Sequence, residues 1–344
     1  MLFSAATLAR LWPRLFMVVL LATVLVCGAA LTVGAANISF QSLWGWVNGT
    51  ADTQTVLIIE QLRLPRILLA VGVGAMLAVS GTVTQGLFRN PLADPSLIGI
   101  SAGAAAGASL VIVAFSQHSI NLAGVSLVTA GAFAGSLLVV AFVYRLSTSE
   151  TGTSVATMLL AGIAFTFLAG SITSLLEFYA DNEMLRRISL WRMGGLEGAN
   201  YVSAIVVLVV AIVLLAVLYK QHRALNVFLL GESEARHLGI DVLHLKRLVI
   251  VCVAAGVGLS VALAGTIAFI GLVVPHIVRL VVGPNHRYMI PLTASIGAIL
   301  LVMADAVARS VLAPVELPVG LVTAFLGAPV FISMLYQRSR YGMG

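Results

Sequence analysis

The side chains that can do chemistry in this chain fall into a few short runs. Arg63-Leu64-Pro65-Arg66 places two guanidinium groups three residues apart. Arg186-Arg187-Ile188-Ser189-Leu190-Trp191-Arg192 sets three guanidinium groups around a tryptophan, and Arg309 follows Asp305 at helical i,i+4 spacing. A planar guanidinium suits bidentate recognition of carboxylates. The competing readings are interfacial anchoring for the Trp-Arg run and an internal ion pair for Asp305 with Arg309. A third run, Gly231-Glu232-Ser233-Glu234-Ala235-Arg236-His237-Leu238-Gly239, mixes both charges between two glycines. No catalytic constellation accompanies them: the sequence has neither His-Glu-x-x-His nor a paired-Asp pattern, and Lys220 and Lys246 lack the glycine frame of a phosphate-binding loop. Cys27 and Cys252 stand alone in apolar sequence without metal spacing, and His276, beside Pro275, reads as a packed, hydrogen-bonded core residue. Recognition is therefore expected without catalysis, and without a metal, cofactor or motor of the chain's own.

The elements that must position these groups are apolar. Hydrophobic residues make up 60% of the 344 and charged ones 9%, with a mean hydropathy of +1.08, against about 25% charged in a soluble domain. Ten apolar segments, near 15–36, 67–88, 97–115, 122–144, 154–176, 202–219, 247–264, 266–283, 290–312 and 319–336, are each able to cross a bilayer core of about 30 Å. They lack the period-two alternation of a barrel strand, so the expected class is an all-α polytopic membrane protein, one domain over 1–344. The first segment is longer than the apolar core of a signal peptide and is expected to remain as a helix.

Ten spans put both termini on one side, and the charges choose the cytoplasm. Only Arg63, Arg66, Arg186, Arg187, Arg192 and Arg309 of the nineteen basic residues then fall outside, as the positive-inside rule requires. The net charge of +6 is thus explained by topology and needs no nucleic-acid partner. Residues 220–247 form the longest cytoplasmic connection and 179–199 a periplasmic segment. Gly99, Gly103 and Gly107, and Gly131 with Gly135, recur every four residues, the spacing that lets helix backbones approach closely. The spans at 67–176 and 247–336 form two groups of four running in opposite directions, a transporter pattern. The central thirds of the spans carry no Asp, Glu, Lys or Arg, which disfavours an ion-coupled carrier. The favoured reading is a permease driven by another chain, the alternative a self-sufficient carrier or membrane enzyme.

The motifs resemble the permease subunits of bacterial ABC importers for iron siderophores, haem and vitamin B12, the FecCD-type permeases. The resemblance runs from Arg63 to about Tyr336 and is carried by Arg63-Leu64-Pro65-Arg66, Gln85-Gly86-Leu87-Phe88-Arg89-Asn90-Pro91-Leu92-Ala93-Asp94-Pro95, the Gly231 to Gly239 run, Phe269-Ile270-Gly271-Leu272-Val273-Val274-Pro275-His276, Ala304-Asp305 with Arg309, Glu316-Leu317-Pro318-Val319-Gly320 and Leu326-Gly327-Ala328-Pro329. It implies a type II ABC importer permease fold in the bacterial inner membrane, paired with a second copy of itself. Two ATP-binding subunits would carry the ATP and Mg, and a periplasmic binding protein would deliver cargo.

By the same resemblance Gly231 to Gly239 hold the coupling helices seated in the ATPase. Glu232 is expected to offer a charge to that partner and Gly239 to set the angle of the second short helix, in a loop that packs little of the core. Arg63, Arg66 and Arg309 would meet carboxylates of the binding protein. Asn90, Pro91 and Leu92 would lie at the cytoplasmic gate, whose second element departs from the vitamin B12 relative: Val155 and Ala156 stand in the place of a Thr-Ser pair, with Thr153, Ser154 and Thr157 nearby. Haem is the first cargo implied, ahead of ferric siderophore and cobalamin, and Arg186, Arg187, Trp191 and Arg192 are candidate cargo contacts.

Overall fold

Backbone polar groups at membrane depth find partners only within a helix or a closed barrel, and the apolar runs of this chain take the first solution. The computed structural model describes residues 5–36, 38–115, 121–122, 125–149 and 152–340. Helix α1 is Ala5–Ala30, α2 Phe40–Val47 and α3 Thr53–Leu57; a π-helical turn at Ile58–Arg63 runs directly into α4, Leu64–Leu87. A 3-10 turn at Pro95–Ile98 precedes α5, Ile100–Ala114, and then come α6, Leu127–Ser147, α7, Val155–Tyr179, α8, Asn182–Met193, and α9, Tyr201–Lys220. The short α10, His222–Phe228, and α11, Glu232–His237, lead into α12, Val242–Ala264, α13, Ile270–Val282, α14, His286–Ala308, and α15, Val319–Arg340. Thr148–Ser149 pairs with Gly152–Thr153 in a small antiparallel hairpin between α6 and α7.

Among the described residues eight helical stretches are long and apolar enough to cross a membrane, and α5 and α13 are shorter apolar helices. Together they are the ten segments expected. Side-chain caps move several boundaries: Asp241 accepts from the His244 amide at 2.9 Å and starts α12 five residues before the apolar run, because a cap satisfies an otherwise unpaired helix donor.

The two groups of four correspond member by member. α4 and α12 have 24 and 23 residues, α5 and α13 have 15 and 13, α6 and α14 have 21 and 23, and α7 and α15 have 25 and 22. The short second member of each group begins on a left-handed residue, Gly99 at φ 81° and Phe269 at φ 68°. A helix of 13 residues reaches about 20 Å, so α13 starts inside a membrane of about 30 Å. Gly99 caps α5 and keeps its place in the glycine stripe, since a methyl there would lie 2.8 Å from Val139 of α6. The stripe joins α5 to α6: a methyl on Gly107 would lie 2.1 Å from the Gly131 carbonyl oxygen and one on Gly103 2.6 Å from that of Gly135.

The centre of the molecule is α4, 83% buried over its most apolar stretch. α1 and α7 lie at the periphery, at 6% and 17%.

Candidate functional site

The loop after α9 is anchored before it is exposed. Leu225 and Phe228 of α10 and Ala235 of α11 are buried in the core cluster, which corrects the expectation of a loop that packs little of the core. Between these anchors the chain turns at Gly231, φ 133°. Gly239, φ 81°, follows α11 and redirects the chain toward α12; it ends the second short helix rather than starting it. Leu230 and Leu238 project as exposed apolar side chains, and Ser233, Glu234, Arg236 and His237 are exposed beside them. Two apolar knobs ringed by charge on rigid anchors suit a protein groove better than water.

Glu232 does not belong to that outward face. One carboxylate oxygen takes Lys246 Nζ at 2.6 Å and the other Arg236 Nη2 at 2.9 Å, so its charge is spent inside the chain. Burial pushes the Glu232 carboxyl up, but the hydrogen bond and charge of Lys246, with the charge of Arg236, outweigh it and hold the group below its ordinary value. Lys246 also donates to the Thr153 carbonyl at 2.7 Å.

At the opposite end of the molecule the three motif arginines turn inward. Arg66 binds Asp305 at 2.8 Å and Glu316 at 2.6 Å. Arg309 lies 3.0 Å from the second Asp305 oxygen, an ion pair without hydrogen-bond alignment, and donates to the carbonyls of Val33 at 3.1 Å and Ala30 at 3.3 Å. Arg63 donates to the carbonyls of Leu31 and Ala36. Exposures of 4% for Arg63, 7% for Arg66 and 4% for Arg309 correct the expectation of open charges facing a partner: each is turned inward onto carboxylates or backbone carbonyls of its own chain, because a buried charge is tolerated only when paired. The i,i+4 pair considered for Asp305 and Arg309 is present.

Arg186 and Arg187 on α8 are exposed, while Arg192 pairs with Glu177 at 2.9 Å and Trp191 packs against the core. The run thus divides, with Trp191 turned from the solvent that Arg186 and Arg187 face. At the inner mouth Asn90 and Pro91 are exposed and Leu92 is half-buried; Asn90 Oδ1 accepts from the Leu92 amide at 3.0 Å, closing a tight turn. Ser154 caps α7 by accepting from the Thr157 amide at 3.3 Å, and Val155 and Ala156 form its first turn. His276 departs from expectation: its Nδ1 has no hydrogen-bond partner among the described residues. Lys246, Gln85 with Arg279, and Glu316 are polar groups in the packing that sequence reasoning passed over; Arg279 donates to Gln85 at 2.7 Å. Lys246 beside Arg247 reads in sequence as a flanking positive charge.

A family model described as the FecCD transport family matches residues 19–337. The chain belongs to the FecCD transport family. It is 42% identical over 339 residues, 97% of this chain and 99% of the relative, to the hemin transport system permease protein HmuU of Yersinia pestis. It is 44% identical over 291 residues, 84% of this chain and 76% of the relative, to the cobalamin import system permease protein BtuC of Halobacterium salinarum. A solved metal-chelate type ABC transporter in an inward-facing conformation superposes with a TM-score of 0.84 at 32% identity, covering 94% of this chain and 99% of that one. As a FecCD permease the chain is a multi-pass subunit of an ABC importer in the cytoplasmic membrane and is not itself an enzyme.

Proposed function

We propose that this FecCD permease imports haem, working as two copies of itself with two ATP-binding subunits and a periplasmic binding protein. The observation that carries the cargo is the near end-to-end match to a hemin permease, 97% and 99% of the two chains. A corrinoid is the second reading, favoured by the 44% identity to a cobalamin permease over a shorter stretch. ATP and Mg belong to the partner subunits in this reading, and the chain itself holds no cofactor.

Residues 231–239 seat in the ATPase through Leu238, with Leu230 just before them, while Glu232 shapes the segment from within. Asn90 to Leu92 border the inner mouth. Arg186 and Arg187 present cations on the outer side, where haem propionates or carboxylates of the binding protein would meet them. Arg63, Arg66 and Arg309 hold the outer helix ends together, so that Glu316, whose side chain is 32% exposed, is the member of the cluster left facing the rim. Reconstitution of the chain with its ATPase and binding protein, followed by ATP-dependent uptake of labelled haem, cobalamin and a ferric siderophore, tests the cargo. Uptake of cobalamin alone would replace the first reading with the second.

A further inference from the structure

We propose that Lys246 is a positioning residue that ties the ATPase-facing helix α11 to the inner end of α7, so that a displacement of one is delivered to the other. The proposal rests on the reading of residues 231–239 as the coupling segment. Lys246 is 1% exposed, and its ammonium bonds to two different elements: Glu232 at the start of α11, at 2.6 Å, and the backbone carbonyl of Thr153, at 2.7 Å. A buried ammonium that loses one of few partners is left with an uncompensated desolvation cost, so neither segment shifts alone without penalty.

The neighbouring contacts favour the same linkage. A methyl on Gly152 would lie 3.0 Å from Leu243 at the head of α12 and 3.8 Å from the guanidinium of Arg236 in α11, so the hairpin rests against both. Thr153 is followed at once by Ser154, the cap of α7, which leaves no slack between the Lys246 bond and the helix.

α7 is a peripheral span of this chain, packed less tightly than those at its centre. It is 17% buried over its most apolar stretch, against 67% for α12 and 83% for α4. Further along, Gly162 packs on the turn before α5, where an added methyl would lie 2.1 Å from the Leu97 carbonyl oxygen. That turn, Pro95–Ile98, follows the mouth residues Asn90 to Leu92. Glu232, Lys246, Thr153, α7 and Leu97 thus form a continuous physical connection from the ATPase surface to the inner mouth. Chains of packed groups with charged hydrogen bonds at one end are able to carry such coupling.

The test uses the whole complex in proteoliposomes, with haem as the uptake probe. Amide hydrogen exchange across 152–160, with and without ATP, is a readout that needs no cargo. In the wild type exchange in this segment should change with nucleotide. In Lys246→Met the change should vanish and haem moved per ATP hydrolysed should fall about tenfold, the scale of one lost charged hydrogen bond. Lys246→Arg should recover part of both, and Glu232→Gln combined with Lys246→Met should do no more harm than Lys246→Met alone. Should Lys246→Met fail to assemble, Lys246→Arg and Glu232→Gln carry the same two readouts. A nucleotide-dependent exchange change that survives in Lys246→Met with uptake intact, or its absence from the wild type, overturns the linkage and leaves the coupling segment standing. A wild-type chain that binds the ATPase without using residues 231–239 overturns the coupling reading itself.

Discussion

Asp305 is the residue on which the outer end of the molecule turns, because one carboxylate at 1% exposure serves both Arg66 and Arg309. Asp305→Asn leaves two buried guanidinium groups short of charge, and breaking such a pair costs about 3 to 5 kcal/mol. We expect a lower melting temperature in detergent, read by fluorescence-detected size exclusion. Arg66→Glu, which sets a third carboxylate beside Asp305 and Glu316, should be more damaging than Arg63→Gln, which removes bonds to carbonyls only. Glu232 gives a pH prediction of defined sign. Its folded-state pKa is depressed, so its contribution is complete above the ordinary carboxylate value and is lost as pH falls through the depressed one. Transport per ATP hydrolysed should therefore be flat from about pH 6 to 8, and any loss traced to this carboxylate belongs below about pH 4. Measuring the ratio in Glu232→Gln beside the wild type isolates its part.

Helix pairing was the most legible level, since Gly103, Gly107, Gly131 and Gly135 carry their spacing openly and meet as that spacing requires. A leucine at Gly107 should separate α5 from α6 and reduce the folded yield, as overpacking of a tight contact does. At Gly239 the obstacle is backbone conformation alone: φ is 81° and a methyl there would meet nothing within 4 Å. Gly239→Asn should keep more ATPase binding than Gly239→Val, because asparagine tolerates the left-handed region and a β-branched residue does not; pull-down of the complex compares them. Other elements were hidden for physical reasons. The left-handed start of α13 falls on Phe269, a residue type that announces no break. The role of Lys246 depends on a backbone carbonyl 93 residues away, and a backbone atom leaves no residue type to recognise. The inward turn of Arg63 has the same origin, since its partners are carbonyls of Leu31 and Ala36.

Over the whole molecule the two ends segregate as the charge distribution requires. Arg63, Arg66, Asp305, Arg309 and Glu316 gather at one end, while Glu232, Lys246 and Thr153 meet in a separate cluster beside the segment read as cytoplasmic. In a background lacking Cys27 and Cys252, a cysteine at exposed Ser189 should react with an impermeant maleimide added outside spheroplasts, and one at exposed His237 only after lysis; the reverse pattern would invert the topology. The tether on α1 bears on how such a protein is made. That helix is 6% buried over its most apolar stretch, and the carbonyls of its last residue, Ala30, and of Val33 just beyond it are held by Arg309, 276 residues after Val33 in the sequence. The ribosome delivers α1 to the bilayer long before its clasp at Arg309. Until then α1 is held near the growing bundle by its connecting chain and by the Arg63 bonds to Leu31 and Ala36, and a nascent chain arrested after Ala304 should leave it more open to membrane proteases than it is in the finished protein.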